Sequence, residues 1–400
     1  LFLIFICSFS IRFCELGSIP LNDSEASLAL GADQLKNGNV PELPSHPLYL
    51  IFTALVFLFS ASNFSARLLP ALIGSLFPLI PFLYKKWTGF KFAILLSILL
   101  VIDPVLISIS RQADSRILAI FWAFTFIAFI LRSQYLYAGI AGAFFVLSGS
   151  YSWELLIVFT FSFIIFTLLV SKRIHTEKNE VHKSKLKEKN HFVYGFFTLL
   201  LLIGTGFFLR PALLNTIIQS LFDFINGWKG NESLFNRALY VFIILIFSYL
   251  PLIIMSIIGV AGSIKKISTV DSFFLIYAIC SFFYLIARPS SSATDLYLIL
   301  PSFYYFVCKG IISWWSFIKI NKKESILASA PITCLLIFVW LAFLRTLNQP
   351  LGSLESAQFL IAMIGVFFLI GLLFVLVIWR WSMRAALSGF STSIIVILML

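Results

Sequence analysis

Charge is scarce in this chain. Of its 400 residues, only 12% are Asp, Glu, Lys or Arg, while 60% are hydrophobic and mean hydropathy is +1.01. So little charge excludes an ordinary soluble domain, in which about a quarter of residues are charged. Long polar stretches are missing as well. The longest run from Ser171 to Asn190 and from Glu15 to Pro47, and each is too short for a core of its own. Cysteine is sparse and unpaired in spacing. Cys7, Cys14, Cys280, Cys308 and Cys334 lie in or beside apolar runs, which argues against both a disulfide framework and a zinc site. The four histidines (His46, His175, His182, His191) do not cluster with them. No Met opens the chain, and the apolar runs at both ends look cut, so both termini read as truncated. The net charge of +12 is distributed as membrane topology rather than as a nucleic-acid footprint, and no nucleic-acid partner is expected.

What the chain has in abundance is apolar sequence. Runs that can span sit near 1–14, 66–84, 90–107, 117–132, 135–150, 154–171, 193–210, 239–260, 271–288, 295–317, 326–344, 357–379 and 387–400. The expected fold class is therefore an all-α polytopic membrane protein of about 12–13 transmembrane helices. A single domain over 1–400 is expected. The 46 phenylalanines read as lipid-facing or core residues rather than as sugar-stacking platforms. Trp153, at a helix end, reads as an interfacial belt residue more readily than as a sugar platform.

One more apolar stretch, 47–61, would invert every later loop if it crossed. Lys85-Lys86, the basic 171–190 loop, Lys265-Lys266, Lys319 with Lys322 and Lys323, and Arg380 with Arg384 share one side only if it does not. The positive-inside rule makes that side cytoplasmic. The 47–61 stretch then reads as an interfacial or re-entrant helix on the outer face, and 171–190 as a solvated cytoplasmic loop against anionic lipid. On this topology the cytoplasmic side uses mostly lysine. The outer side uses arginine: Arg12, Arg67, Arg111, Arg116, Arg210, Arg237, Arg288 and Arg345. Arginine suits forked recognition of phosphate or carboxylate. Snorkelling to headgroups accounts best for Arg12, Arg210 and Arg345. Most of the acids also face outward, so some arginines pair with acids.

Four polar patches converge on the outer side. The first is the 15–65 loop, where Asp23 and Glu25 lie one residue apart and precede a short helix through Lys36. Carboxylates at a membrane edge are costly, which makes them functional candidates, although they also suit the capping of that helix. The second patch is Ser45-His46-Pro47-Leu48-Tyr49, followed by Arg67. The third is Ser110-Arg111-Gln112-Ala113-Asp114-Ser115-Arg116. The fourth runs from Ala287-Arg288-Pro289 to Asp295-Leu296-Tyr297 and on to Pro301.

This order of motifs resembles the GT-C glycosyltransferases, and within them the family 39-like branch of protein O-mannosyltransferases and aminoarabinose transferases. The likeness is good over about 20–135 and loose near 285–310. It departs in two places: Ser24 separates the two acids, and Asp114 sits closer to Arg111 than the pattern has it. The resemblance implies an integral plasma-membrane transferase of the cell envelope, with outer-face interfacial helices between its first two spans. Its active site would lie on the extracytoplasmic side. It implies a polyprenyl-phosphate sugar as donor and a lipid, glycan or protein as acceptor, with membrane lipids as the other partners. Asp23 matches the family's first-loop acid, with Glu25 second, as the base that takes the acceptor proton. Arg67, Arg111, Arg116, Arg288 and Tyr297 are the expected donor-phosphate ligands, supported by His46, Asp114 and Asp295. Arg67 is also placed to hold Asp23 or Asp114. No cofactor is expected. A divalent metal is possible, with Asp23, Glu25 and Asp114 as its oxygen ligands. Two other readings stay open: a flippase or transporter for a lipid-linked anion, which needs charges deep in the membrane, and a polysaccharide polymerase or ligase, which relies on a large late outer loop, here only 211–238.

Overall fold

A computed structural model describes residues 1–39, 46–174, 185–229, 241–242, 245, 249, 252–253, 255–263, 268–289, 292–320, 322–347, 354–381, 386, 389–390 and 392–393. Ser45, Arg237, His175, His182, Lys265-Lys266, Arg384, part of the 239–260 run and most of the 387–400 run lie outside the described residues. Among those described, every regular element is helical. The single domain expected over 1–400 divides into two compact units. One is Leu1–Leu245 with Ile267–Tyr305, and the other is Ile246–Lys266 with Phe306–Leu400.

The first unit begins with α1 (Phe2–Phe13), α2 (Asp23–Lys36), α3 (Pro47–Phe57) and α4 (Asn63–Leu76). Each start has a local cause. Asn22 and Glu25 form a capping box around the first turn of α2, and Ser62 with Ser65 does the same for α4. Pro47 opens α3, where its missing N–H costs nothing. The 47–61 stretch is expected as an interfacial or re-entrant helix, and in it Pro47, Leu48, Tyr49, Leu50, Ile51, Thr53, Ala54 and Phe57 are all buried. Protein, rather than lipid, surrounds most of α3.

A 3₁₀ stretch (Phe77–Tyr84) leads to α5 (Lys85–Thr88), α6 (Phe90–Ile102) and α7 (Pro104–Ser110). The 90–107 run was expected as one span. It is broken at Asp103-Pro104 and bent by 62°. Pro104 cannot donate to the helix behind it. Asp103 Oδ1 instead accepts the Leu106 N–H at 2.6 Å and caps α7, while its Oδ2 accepts the Tyr304 hydroxyl at 2.5 Å. Arg12 serves the other side of the break. Its Nη2 donates to the Leu100 carbonyl at 3.2 Å and its Nη1 to Ser8 Oγ at 2.8 Å. Arg12 is fully buried, so snorkelling to headgroups does not describe it. The carbonyls freed by the break need donors, and Arg12 supplies them.

The unit continues with α8 (Arg116–Leu131), α9 (Tyr135–Leu147), α10 (Ser150–Ile174), α11 (Lys185–Gly204), α12 (Leu214–Asn226) and α13 (Thr269–Ala287). A Cβ on Gly139 of α9 would sit 2.3 Å from the Phe192 carbonyl of α11, and one on Gly195 would sit 2.6 Å from the Leu136 carbonyl. Two backbones touch there, as small residues allow in membrane bundles. Helix α12 turns Thr216 and Ser220 inward and leaves Ile218, Leu221, Phe222 and Ile225 exposed. An apolar stripe facing outward is the pattern of a lipid-contacting helix. A 3₁₀ turn (Ala293–Leu298) precedes α14 (Leu300–Ile320), whose residues through Tyr305 belong to this unit.

The second unit holds the rest of α14, the helical residues 255–263, α15 (Lys322–Leu347) and α16 (Leu354–Arg380). Gly259 and Gly310 face backbone carbonyls so closely that a Cβ on either would lie 2.0 Å from one. By length and composition, three stretches can each cross a membrane: Asn63–Thr88, Ser150–Leu169 and Thr269–Ala287. The bent α6–α7 pair makes a fourth, and seven shorter apolar helices accompany them among the described residues. Two acids within apolar runs sit at helix starts: Asp103 is the N-cap of α7, and Asp271 closes a capping box with Ser268 at the start of α13.

Candidate functional site

The acidic pair at the start of α2 divides its labour. Two residues apart, the side chains of Asp23 and Glu25 point to different faces of the helix. Glu25 is buried, at 3% exposure, and both its oxygens are in use. Arg67 Nε and Nη2 donate to its Oε1 and Oε2 at 2.9 and 2.8 Å. The Ala113 N–H donates to Oε1 at 2.8 Å and the Asn22 N–H to Oε2 at 3.0 Å. Burial alone would raise the pKa of this carboxyl, but the Arg67 bonds and the two backbone N–H groups outweigh it and hold the pKa below its ordinary value. Arg67 spends its remaining donors on the Leu16, Ile19 and Pro20 carbonyls. Its five N–H groups are committed inside the protein. Expected as a phosphate ligand or as the holder of Asp23 or Asp114, Arg67 instead holds Glu25 and the 16–20 turn.

Asp23 is exposed, and it has no hydrogen-bond or ion-pair partner among the described residues. Of the candidate site arginines Arg67, Arg111, Arg116 and Arg288, Arg111 is the one without an ion pair among the described residues. It donates to the Ile11 carbonyl at 3.2 Å and weakly to that of Glu15 at 3.5 Å. It lines a cavity of about 300 Å³ together with Glu15, Asn22, Ser108 and Gln112, with Glu25 and Arg67 in the wall. A second cavity of about 220 Å³, lined by Ser133–Tyr137 and His191, touches none of these residues.

The other expected arginines meet carboxylates. Arg116 Nη1 lies 3.2 Å from Asp114 Oδ2, and its Nε lies 3.6 Å from Asp295 Oδ1. Arg288 Nη1 lies 2.9 Å from Glu154 Oε1 and 3.6 Å from Asp295 Oδ2. Tyr297, completely buried, donates to Glu154 Oε2 at 3.3 Å. Burial works against the Arg288 cation, but Glu154 and Asp295 more than restore it, so its pKa is raised. Burial first, then the same two acids, push the Tyr297 hydroxyl well above its ordinary value, which keeps it a neutral donor. The cluster holds three carboxyl groups against two guanidiniums. Its geometry is also incomplete. The distance from Arg288 Nη1 to Glu154 is short, yet that nitrogen has no hydrogen bond of acceptable angle, and Arg116 Nε and Asp295 Oδ1 have no hydrogen-bond partner.

His46, at the head of α3, packs against the same cluster. Its Nδ1 lies 2.8 Å from Ser115 Oγ, and its ring stacks on Tyr151 at 5.4 Å between centroids. The Arg116 guanidinium lies 4.8 Å from the centroid of the Tyr151 ring. Burial lowers the His46 pKa and keeps the ring neutral. Trp153 is half-buried, and its Nε1 donates to Ser220 Oγ of α12 at 2.9 Å. Arg210 donates through Nη1 to the Leu35 and Asn39 carbonyls and so closes the end of α2. The Arg345 side chain lies outside the described residues.

Glu154, Tyr151 and Ser115 were not among the sequence candidates. Glu154 stands at the head of a long apolar run, and an acid there is itself a signal. The alternative metal set of Asp23, Glu25 and Asp114 does not gather. Glu25 is saturated by four donors, and no group of three His, Cys, Asp or Glu side chains among the described residues is placed to share an ion.

No family model and no curated protein matches this chain in sequence. Its structure does find neighbours. Two crystal structures of ArnT from Cupriavidus metallidurans superpose on it. The one bound to undecaprenyl phosphate gives a TM-score of 0.60 at 13% identity, over 99% of this chain and 75% of ArnT. The apo structure gives 0.59 at 14% identity, over 99% and 74%. The fold is like that of these two structures. It makes this chain a polytopic membrane protein, as the composition required.

Proposed function

We propose that this protein is an integral-membrane glycosyltransferase. It moves a sugar from a polyprenyl-phosphate donor to a lipid, glycan or protein acceptor on the extracytoplasmic side, with inversion. The observation that carries the reading is the juxtaposition in the 15–25 and 108–115 segments. Among the described residues Arg111 forms no ion pair and Asp23 has no partner; Arg111 faces a cavity whose wall includes the cap of α2, and Asp23 opens that same helix. The ArnT neighbour bound to undecaprenyl phosphate supports a donor of that class. The resemblance of the sequence motifs supports the family 39-like branch and a hexose or pentose as the group transferred.

The chemistry is a single displacement. Asp23 takes the proton of the acceptor hydroxyl as its oxygen attacks the anomeric carbon. The bond from that carbon to the phosphate oxygen breaks, and the leaving polyprenyl phosphate carries its charge to Arg111. Glu25 positions rather than reacts: its lone pairs are occupied, so it has no place for an acceptor proton. The test is Asp23→Asn in purified protein reconstituted with polyprenyl-phosphate sugars. Transfer is expected to fall by two orders of magnitude or more, as for loss of a general base. Binding of polyprenyl phosphate should persist. Full transfer by Asp23→Asn refutes Asp23 as the base. Uptake of the donor into vesicles without any sugar transfer by the native protein refutes the enzyme reading.

A further inference from the structure

We propose that Asp295, Arg116 and Arg288 form a subsite for the hydroxyl groups of the transferred sugar and not for the donor phosphate; this rests on the glycosyltransferase reading above. Three polar atoms converge there without hydrogen bonds among the described residues: Arg116 Nε, Arg288 Nη1 and Asp295 Oδ1. Asp295 is 1% exposed. Its two oxygens lie 3.6 Å from Arg116 Nε and from Arg288 Nη1, beyond hydrogen-bond reach. Asp295 Oδ2 already accepts the Ser292 N–H at 2.7 Å, so the open acceptor is Oδ1, and buried polar atoms are costly to leave unsatisfied.

The missing partner must accept from the guanidiniums and donate to the carboxylate. A hydroxyl does both. A phosphate oxygen only accepts. It would satisfy the two arginines but bring its charge against Asp295 Oδ1, with Asp114 and Glu154 already paired to the same guanidiniums. Three carboxyl groups to two guanidiniums is the wrong balance for an anion and a suitable one for polyhydroxylated ligands. The phosphate belongs instead at Arg111, which forms no ion pair among the described residues. The guanidinium-bearing side chains remain partly reachable, at 18% exposure for Arg116 and 14% for Arg288.

The experiment compares ligands that differ only in hydroxyls. The probes are a polyprenyl phosphate, its mannosyl, glucosyl and arabinosyl derivatives, and a tetrahydropyranyl derivative that keeps the ring but carries no hydroxyl. Their affinities are measured on the full chain in detergent. In the native protein the best sugar derivative should bind tighter than the tetrahydropyranyl one by about tenfold or more, the scale of a hydrogen bond to a charged group. Asp295→Asn should erase most of that margin and leave bare polyprenyl phosphate binding unchanged. Arg111→Gln should weaken every probe alike. If Asp295→Asn fails to fold, Arg116→Lys tests the same margin, because it keeps the charge and loses the Nε donor.

Three results overturn the proposal: no margin in the native protein, in which case water alone fills the gap; a margin untouched by Asp295→Asn and Arg116→Lys; or an equal loss of bare polyprenyl phosphate binding in those variants. If no probe binds at all, including bare polyprenyl phosphate, the glycosyltransferase reading itself has failed.

Discussion

The Glu25–Arg67 pair sets up the sharpest quantitative test of the architecture. The two side chains are 4% and 7% exposed and meet through two N–H···O bonds of 2.9 and 2.8 Å. An exposed pair of that length would contribute about 0–1 kcal/mol. A buried one behaves differently. Removing one partner leaves the other charge stranded, at a cost of about 3–5 kcal/mol, while replacing both with apolar groups is often close to neutral. Glu25→Leu strands Arg67 and also removes the acceptor of the Ala113 and Asn22 N–H groups. Arg67→Met strands Glu25, although the two backbone donors still stabilise it. Each single variant should therefore lose about 3–5 kcal/mol in reversible unfolding by detergent titration, with Glu25→Leu the worse. The double variant should lose markedly less than the sum of the singles, giving a coupling energy of about 2 kcal/mol or more. Single losses below about 1 kcal/mol, or additive effects, would mean that the pair behaves as a surface pair and that the clasp between α2, α4 and the 111–115 turn is not what holds the site. The carboxyl pKa of Glu25 is depressed in the fold. Its contribution is therefore complete above the ordinary Glu value of about 4.3 and is lost as pH falls from there through the lower folded value. Glu25→Leu should remove that acid-side slope.

Two further outcomes follow from the same geometry. His46 has a lowered pKa because it is buried, so the unfolded chain binds its proton more readily than the folded one. Stability should drop as pH falls below about 6.5, and His46→Gln should flatten that part of the profile; an unchanged profile would mean that His46 titrates normally. For sidedness, single cysteines at Ser24 and Lys86, both exposed positions, can be labelled from outside in a background lacking the native five. The proposed topology requires position 24 to react and position 86 to be protected, and the reverse pattern would move the site to the cytoplasmic face. Ser115 does not suit this assay, since it is fully buried.

Composition and local pattern made the helical membrane fold legible. The reason is physical: a chain this apolar has to satisfy its backbone internally, and helices do that one segment at a time. The capping residues of α2 were legible too, because a capping box is a local pattern. What stayed hidden is long-range pairing. Glu25 and Arg67 are 42 residues apart, and the partner of Glu154 is Arg288. No periodicity relates such positions, so the sequence offered Arg67, Arg116 and Arg288 alike as phosphate ligands. Among the described residues Arg111 is the candidate arginine without an ion pair. The broken span had a signal that was passed over. Asp103-Pro104 inside 90–107 is a helix start written within an apolar run, and buried Arg12 is the donor that such a break needs.

The 111–115 turn shows why so many polar side chains are spent where composition says polarity is expensive. Within five residues, Arg111 lines the cavity, Ala113 donates to Glu25, Asp114 pairs with Arg116, and the Ser115 hydroxyl meets His46. Each contact reaches a different element: α2, the start of α8, or the head of α3. A loop so held cannot shift one contact without straining the others. For a displacement whose catalysts are one base and one cation, placement is most of the work, and an error of about 1 Å can cost a hundredfold in rate. The buried charges are thus better understood as the framework that fixes Arg111 relative to the start of α2 than as a pool of interchangeable phosphate ligands. Rate should therefore be sensitive to Glu25 and Arg67 even in variants that stay folded, although neither would touch the substrate.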